Sequence, residues 1–204
     1  CKPLDFAGEF TKEEIPSKIK AKFFVLAPIL AGEINKELLE FLHKNHAGRL
    51  CLDIQGFIRQ RDLEENSIYF CDLSAEDKDF ILSKIKVLKV DRAEARALTG
   101  EQDTHEAGKA LLSLGPEEIL LTHEEGVSVF TEGNDWHFPW KNKSMNGRTG
   151  RGDTAFMSYL GSRINQNPKN SARFCAALTS LKLEHRGPFT QPLFRVEKLI
   201  REEY

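Results

Sequence analysis

Residues 21–54, which read AKFFVLAPILAGEINKELLEFLHKNHAGRLCLDI, contain two apolar runs separated by a helical pattern. The first run, 21–26, predicts a buried strand that ends before Pro28. Residues 35–45 place three leucines on one helical face, and Asn35 is a typical N-cap. Residues 49–54 predict the next strand. Two strands joined through a helix indicate parallel pairing with a right-handed crossover.

Strands and helices alternate through most of the remaining chain. Residues 55–72 have no regular period, Asn167-Pro168 is interpreted as a break, and 171–183 is expected to be the final packed helix. Strands are predicted at 86–90, 118–122, 127–131 and 135–138, and further helices at 74–83, 91–98, 103–114 and directly after residue 154. This alternation predicts a three-layer α/β/α sandwich with a mainly parallel central sheet.

Composition places the chain among globular proteins and excludes several functional classes. With 204 residues, it is compatible with a single α/β domain over 1–204. A net charge of −2 argues against nucleic-acid binding, and no apolar run approaches the roughly 20 residues of a membrane span. The four cysteines are scattered without a C-x-x-C pair, so we expect no zinc site, free thiols and a cytoplasmic location.

The segment Asn146-Gly-Arg-Thr-Gly-Arg-Gly-Asp-Thr154 is the strongest candidate for a functional site. Its glycines lie where a loop becomes a helix, and the first helical turn leaves backbone N–H groups unpaired at its partly positive end. Such a loop binds anions, most often phosphate, and Arg148 and Arg151 favour the same ligand. Asp153 would be repelled by an anion, which suggests a chemical task such as accepting a proton. The alternative is that Asp153 only caps the helix.

Other polar residues follow the predicted strands, where ligands bind in open parallel sheets. They are Asp53, Gln55, Asp91 and Thr122.

Together these segments resemble the ribokinase/PfkB family of carbohydrate kinases over residues 21 to 190. The family signature, approximately Asp-Thr-x-Gly-Ala-Gly-Asp, appears here as Gly147-Arg-Thr-Gly-Arg-Gly-Asp153. The resemblance implies an ATP-dependent kinase with Asp153 as catalytic base. It also implies an anion hole at Gly150, Arg151 and Gly152, with Arg148, Thr149 and Arg151 binding phosphate.

The resemblance assigns further roles through shorter motifs. The family's Asn-x-x-Glu motif appears as Asp91-Arg-Ala-Glu94, which implies that Glu94 and Asp91 hold Mg²⁺ through water. Nucleotide binding is implied for Thr122, Gly126, Cys175 and Thr179, and a monovalent cation such as K⁺ is implied near the anion loop. From the residues alone, a structural alternative stays open for each of four positions. Asp91 is then a simple N-cap, Glu94 an exposed helix residue, Thr122 a strand-end turn residue and Arg59 a solvated loop charge.

Within the family, the segments Asp53–Arg59 and Leu183–Pro188 resemble inositol (cyclitol) kinases. The expected partner is therefore a small sugar or cyclitol, and the resemblance allows a homodimer. The family's N-terminal strands, Gly-Gly substrate motif and lid have no counterpart in residues 1–20, so we expect a fragment or a degenerate member. Two other functions stay open: a non-catalytic nucleotide-binding module, and a protein that binds a different phosphorylated ligand.

Overall fold

The computed structural model describes residues 6, 8–16, 19–46, 48–62, 64–65 and 67–204. The chain forms two compact units, Cys1–Ile119 and Leu120–Tyr204. Within the described ranges, no helix is long and apolar enough to cross a membrane.

The first unit is built on three parallel strands: β1 (Phe24–Leu26), β2 (Leu50–Asp53) and β5 (Val87–Asp91). Every residue of β2 is buried, as expected for a strand covered on both faces. Helix α1 (Lys36–His46) connects β1 to β2 and buries Leu38, Leu39 and Leu42. The predicted strand–helix–strand unit with parallel pairing is thus confirmed.

Residues 55–72, for which no regular structure was predicted, contain a short helix and a hairpin. Helix α2 (Gln55–Ile58) leads into β3 (Arg59–Asp62), which pairs in antiparallel fashion with β4 (Ser67–Phe70). The sequence RQRD of β3 is polar at every position, so it carries no alternation of apolar and polar residues. Backbone pairing, rather than burial, defines this hairpin.

Three helices complete the first unit: α3 (Ala75–Leu82), α4 (Arg92–Thr99) and α5 (Thr104–Ser113). Strand β6 (Glu118–Thr122) spans the boundary between the units and is buried along its whole length.

The second unit contains an antiparallel hairpin and three helices. Strands β7 (Gly126–Thr131) and β8 (Asn134–Pro139) form the predicted hairpin. The helices are α6 (Arg151–Arg163), α7 (Pro168–Leu183) and α8 (Leu193–Glu203). With the parallel strands β1, β2 and β5, the antiparallel hairpins β3–β4 and β7–β8, and flanking helices, the chain has the predicted α/β fold.

Asn167-Pro168 does separate two helices, but the helix predicted at 171–183 begins earlier and is not the last. Asn167-Pro168 starts α7 rather than only breaking the chain: the Asn167 side chain accepts from Asn170 N at 2.8 Å, and Pro168 occupies the first turn, where it loses no hydrogen bond. Helix α7 is not the last helix, because α8 follows it. Val196 of α8 is fully buried in a cluster with Leu178 and Leu181 of α7.

Tyr204, the C-cap residue of α8, contacts the β7–β8 hairpin and α7. Its hydroxyl donates to the carbonyl oxygen of Pro139 at 2.6 Å and lies 3.3 Å from Ser180 Oγ, while its ring meets Phe138 edge to face. Burial raises the pKa of Tyr204 to about 12, so the folded state holds this proton more tightly than the unfolded chain.

We expect Tyr204→Phe to lower the free energy of unfolding by about 1 kcal/mol at neutral pH, because the hydrogen bond to Pro139 O is lost. The raised pKa means that the wild-type advantage is fully present below the ordinary tyrosine pKa and is lost as the pH rises toward about 12. Urea unfolding at pH 7 and pH 11 measures both effects. Tyr69→Phe, at a half-exposed tyrosine of the β3–β4 hairpin, is the control; an equal loss there would contradict the assignment.

Candidate functional site

The glycine-rich segment 147–153 forms the turn into helix α6 in the second unit. Gly150 is the N-cap residue and has a left-handed backbone, with φ of 78°. A side chain at this position would be strained, which explains the glycine. The first helical hydrogen bond runs from Thr154 N to Gly150 O at 3.0 Å.

At the start of α6, this turn leaves backbone N–H groups without a backbone hydrogen-bond acceptor. Arg151 N–H is already used, since it donates to Arg148 O at 3.2 Å. In the described chain, the N–H groups of Gly152 and Asp153 donate to no backbone acceptor. Two adjacent open N–H groups at a helix N-terminus are suited to an anion.

Asp153 is the third residue of α6 and its side chain is exposed. The N-cap position belongs to Gly150, and no side chain caps this helix, so Asp153 is not the N-cap. Its carboxylate therefore does not cap the helix, and it lies in the same helical turn as the unpaired N–H groups of Gly152 and Asp153. Arg148 and Thr149 are also exposed, and Arg151 is half-buried.

Lys182 of α7 contacts this loop, and the sequence interpretation missed it. Its side chain is buried, and its Nζ donates hydrogen bonds to the carbonyl oxygens of Gly147 and Thr149. The available signal was its position in the run Leu181-Lys182-Leu183, since a lysine inside an apolar helical segment needs polar partners.

Gly147 lies directly against the end of α7. Its N–H donates to Leu183 O at 2.8 Å, and an added Cβ would lie 1.7 Å from His185 O and 2.8 Å from Lys182 O. Both obstacles are backbone atoms, which cannot rotate away. The contact explains why glycine stands where the family motif has aspartate.

We expect Gly147→Ala to destabilise the protein by about 1–3 kcal/mol, because the backbone of the loop or of the α7 end must shift. Gly161→Ala is a matched control, since Gly161 lies in α6 and an added Cβ would meet nothing within 4 Å. The control should leave stability unchanged or raise it by up to about 1 kcal/mol. Urea denaturation of both variants measures the difference, and equal stability would show that the close contact has no consequence.

The residues predicted to bind nucleotide are buried, and their nucleotide role stays a prediction. Thr122 ends β6, and Gly126 begins β7 with its Cα against the backbone of Phe138, where a Cβ would lie 2.3 Å from the carbonyl oxygen. Cys175 Sγ donates to Ala155 O at 3.2 Å, and burial raises its pKa to about 12. Thr179 is fully buried and its Oγ1 has no hydrogen-bond partner among the described residues.

The first unit places a cluster of charges at the carboxyl ends of β2 and β5. Lys89 Nζ lies 2.9 Å from Asp53 Oδ2 and 3.6 Å from Glu94 Oε2, and all three side chains are buried. Arg59 contacts the same Glu94 at 2.5 Å and Asp91 at 3.7 Å. Arg59 is therefore part of an ion-pair network rather than a solvated loop charge, and Lys89 is a second residue that the sequence interpretation missed.

Asp91 and Glu94 form a capping box at the start of α4. Asp91 Oδ1 accepts from Glu94 N at 2.8 Å, and Glu94 Oε2 accepts from Asp91 N at 2.7 Å. Glu94 is fully buried, which excludes the alternative of an ordinary exposed helix residue. Its two carboxylate oxygens are both occupied, one by Arg59 and one by the cap.

Burial controls the ionisation of the cluster. It raises the pKa of Asp53 and of Glu94 above their ordinary values, although Lys89 opposes the shift in both. Burial also acts to lower the pKa of Lys89, but the carboxylates of Glu94 and Asp53 outweigh it and raise that pKa overall. Lys89 is thus held protonated by its two carboxylate neighbours.

This geometry limits how magnesium could be held. Glu94 has no free oxygen for direct ligation, whereas the Asp91 side chain is partly exposed and its Oδ2 lies 3.7 Å from Arg59 Nη2. The residues therefore fit a hydrated Mg²⁺ bound through water at Asp91, with Glu94 fixing the position of Asp91. Mg²⁺ commonly keeps several of its waters in such sites.

The cysteines within the described ranges, Cys51, Cys71 and Cys175, are free thiols, as predicted. Cys1 lies outside the described residues.

No family model matches the sequence, and no curated protein matches it by sequence comparison. Solved structures do match. A pyrophosphate-dependent kinase in the ribokinase family, solved as a sulfate complex, is 32% identical with a TM-score of 0.80, over 92% of this chain and 65% of that chain. A pyrophosphate-dependent myo-inositol-1 kinase, altered to a myo-inositol-3 kinase, is 30% identical with a TM-score of 0.84, over 96% of this chain and 69% of that one.

More distant structures share the fold. Ribokinase from Arabidopsis thaliana, complexed with ribose and ATP, is 20% identical with a TM-score of 0.67, over 89% of this chain and 56% of that chain. The predicted family and fold class are confirmed by these matches. With 30% identity over 69% of a kinase in the ribokinase family whose structure was solved with myo-inositol, the chain belongs to the ribokinase family.

Proposed function

We propose that this chain carries phosphoryl-transfer machinery for a hydroxyl of a sugar or cyclitol, with an inositol-like polyol as the first candidate acceptor. The observation that carries the proposal is the exposed Asp153 carboxylate on the first turn of α6, beside the open N–H groups of Gly152 and Asp153. The proton acceptor and the N–H groups that would bind the anion are thus adjacent in sequence and fixed by one helix.

In the proposed reaction, Asp153 accepts the proton of the acceptor hydroxyl as that oxygen attacks the phosphorus atom of the donor. A new oxygen–phosphorus bond forms, and the bond between that phosphorus and the leaving phosphate oxygen breaks. The N–H groups of Gly152 and Asp153 stabilise the charge on the transferring group. Arg148 and Arg151 are proposed to add charge-assisted contacts to phosphate oxygens.

For the donor, we propose pyrophosphate ahead of ATP. The resemblance to the family implied ATP, but the structures at 30–32% identity belong to pyrophosphate-dependent kinases. The side chains of Cys175 and Thr179, which were predicted to contact nucleotide, are fully buried. By contrast, the Arg148 side chain is exposed, and the N–H groups of Gly152 and Asp153 have no backbone acceptor, so these groups can contact phosphate. Pyrophosphate has no adenine ring and needs no adenine pocket.

We propose that Asp91 holds Mg²⁺ through water and that Glu94 fixes Asp91 through the capping box.

The test is phosphoryl transfer measured by ³¹P NMR, with pyrophosphate or ATP, Mg²⁺, and a panel of myo-inositol, ribose and other polyols. We expect an organic phosphate monoester to form from pyrophosphate and a cyclitol. Turnover with ATP alone would overturn the donor assignment and leave the kinase assignment standing. Lack of any phosphate ester with either donor would contradict the kinase assignment.

The chain spans 65–69% of the length of those two kinases. A second candidate is a non-catalytic donor-binding module, for which the open N–H groups of Gly152 and Asp153 are sufficient. Isothermal titration calorimetry separates the candidates. Binding of pyrophosphate or ATP without phosphate-ester formation would favour the module.

A further inference from the structure

We propose that Lys182 is a positioning residue: a built-in cation beneath the anion loop that replaces the monovalent cation implied by the family resemblance. The inference rests on the proposed anion-binding role of the loop. Lys182 is 2% exposed, and its Nζ donates to the carbonyl oxygens of Gly147 and Thr149. Among the described residues, no carboxylate forms an ion pair with it.

A buried ammonium group without a counter-charge is costly, and it is retained only where its donors are satisfied or an anion compensates it. The ammonium group has three donors, and two are used by the loop carbonyls. Lys182 Nζ lies 3.8 Å from the position that a Cβ of Gly150 would occupy, which places it directly under the turn. An anion on the loop would supply the missing negative charge.

The two hydrogen bonds also orient the loop. Because the carbonyl groups of Gly147 and Thr149 turn inward toward Lys182, that side of the loop backbone is fixed before α6 begins. The open N–H groups of Gly152 and Asp153 follow within the next turn. Lys182 thus holds in place the backbone that precedes the anion site.

Inward-facing backbone carbonyls are also the ligands that a monovalent cation would use. Here the ammonium group of Lys182 already occupies both oxygens, and a second cation at the same oxygens would be repelled by it. The residues present therefore do not fit an additional K⁺ at Gly147 and Thr149, and anion binding by this chain should not depend on K⁺.

The test uses calorimetric titration of pyrophosphate into the wild-type chain, Lys182→Met and Lys169→Met, in buffers with tetramethylammonium or K⁺ as the cation. Lys169 is an exposed lysine of the same helix and serves as the matched control. We expect equal wild-type affinity in both buffers, and a loss of about 10–100-fold for Lys182→Met. K⁺ should restore part of this loss. A wild-type affinity that needs K⁺, or full affinity in Lys182→Met, would overturn the inference.

A second readout does not depend on the anion. Gly147 N–H, which donates to Leu183 O at 2.8 Å, should exchange with solvent about 10–100-fold faster in Lys182→Met than in Lys169→Met. Unchanged exchange would overturn the positioning role. If wild type bound no pyrophosphate but this exchange still rose, the proposed function would fail while the positioning role held. If Lys182→Met does not fold, Lys182→Gln, which keeps one carbonyl-directed donor group, is measured in the same way.

Discussion

Replacing Asp153 with asparagine is expected to slow phosphoryl transfer by about 10²–10⁴-fold, the usual contribution of a general base. Asparagine has the same shape but cannot accept the hydroxyl proton. Because Asp153 is exposed and does not cap α6, the free energy of unfolding should fall by less than about 1 kcal/mol, from the lost attraction between the carboxylate and the helix N-terminus. Donor affinity should stay the same or rise, since a carboxylate no longer repels the anion. The measurement is kcat and the donor Kd for wild type and variant.

Asp79→Asn is the matched control, because Asp79 is an exposed helical aspartate of the first unit. It should change neither rate nor affinity. A loss of donor affinity in Asp153→Asn with an unchanged kcat would contradict the base assignment, since it would mean that Asp153 acts on binding rather than on proton transfer.

The second large effect is expected at the charged cluster of the first unit. Lys89→Met should destabilise the protein by about 3–5 kcal/mol, because it leaves the buried carboxylates of Asp53 and Glu94 without their shared cation. Lys109→Met, at an exposed lysine that lies 3.7 Å from Glu106, is the control and should cost less than about 1 kcal/mol. Urea unfolding measures both.

The pH dependence of this loss identifies its cause. Burial raises the folded-state pKa of Asp53 and Glu94 above their ordinary values of 3.8 and 4.5. A carboxyl group with a raised pKa stabilises the folded state at low pH, and that stability is lost as the pH rises through the folded-state value. Without Lys89 both pKa values should rise further. The loss of unfolding free energy in Lys89→Met should therefore be smallest near about pH 4–5 and grow toward neutral pH. A loss that does not change with pH would indicate lost packing instead.

Patterns of apolar and polar residues in the sequence were sufficient to predict most of the fold. Strand β6 was predicted at its observed bounds, because all five of its residues are buried between turn signals. The β3–β4 hairpin was missed because Arg59–Asp62 is polar throughout and is defined by backbone pairing. Helix α8 was missed although its apolar residues recur at helical spacing, with Val196 fully buried.

For the site, the sequence identified the local elements but not the long-range partners. The loop-to-helix turn was predicted from three glycines, and Gly150 has the left-handed backbone that such a turn needs. Lys182 and Lys89 were missed because the two carbonyl partners of Lys182 and the Asp53 partner of Lys89 lie 33 to 36 residues away in sequence. In both cases a lysine within an apolar run was the visible sign of a buried charge.

The central claim is that the loop of Arg148–Asp153 binds the phosphoryl donor through the N–H groups at the start of α6. It is tested most directly by ¹H–¹⁵N NMR of the 204-residue chain during titration with pyrophosphate and Mg²⁺. We predict saturable downfield proton shifts at the amides of Gly152 and Asp153, larger than at any amide of the β7–β8 hairpin turn. Saturable binding that shifts other amides and leaves these two unmoved would contradict the claim.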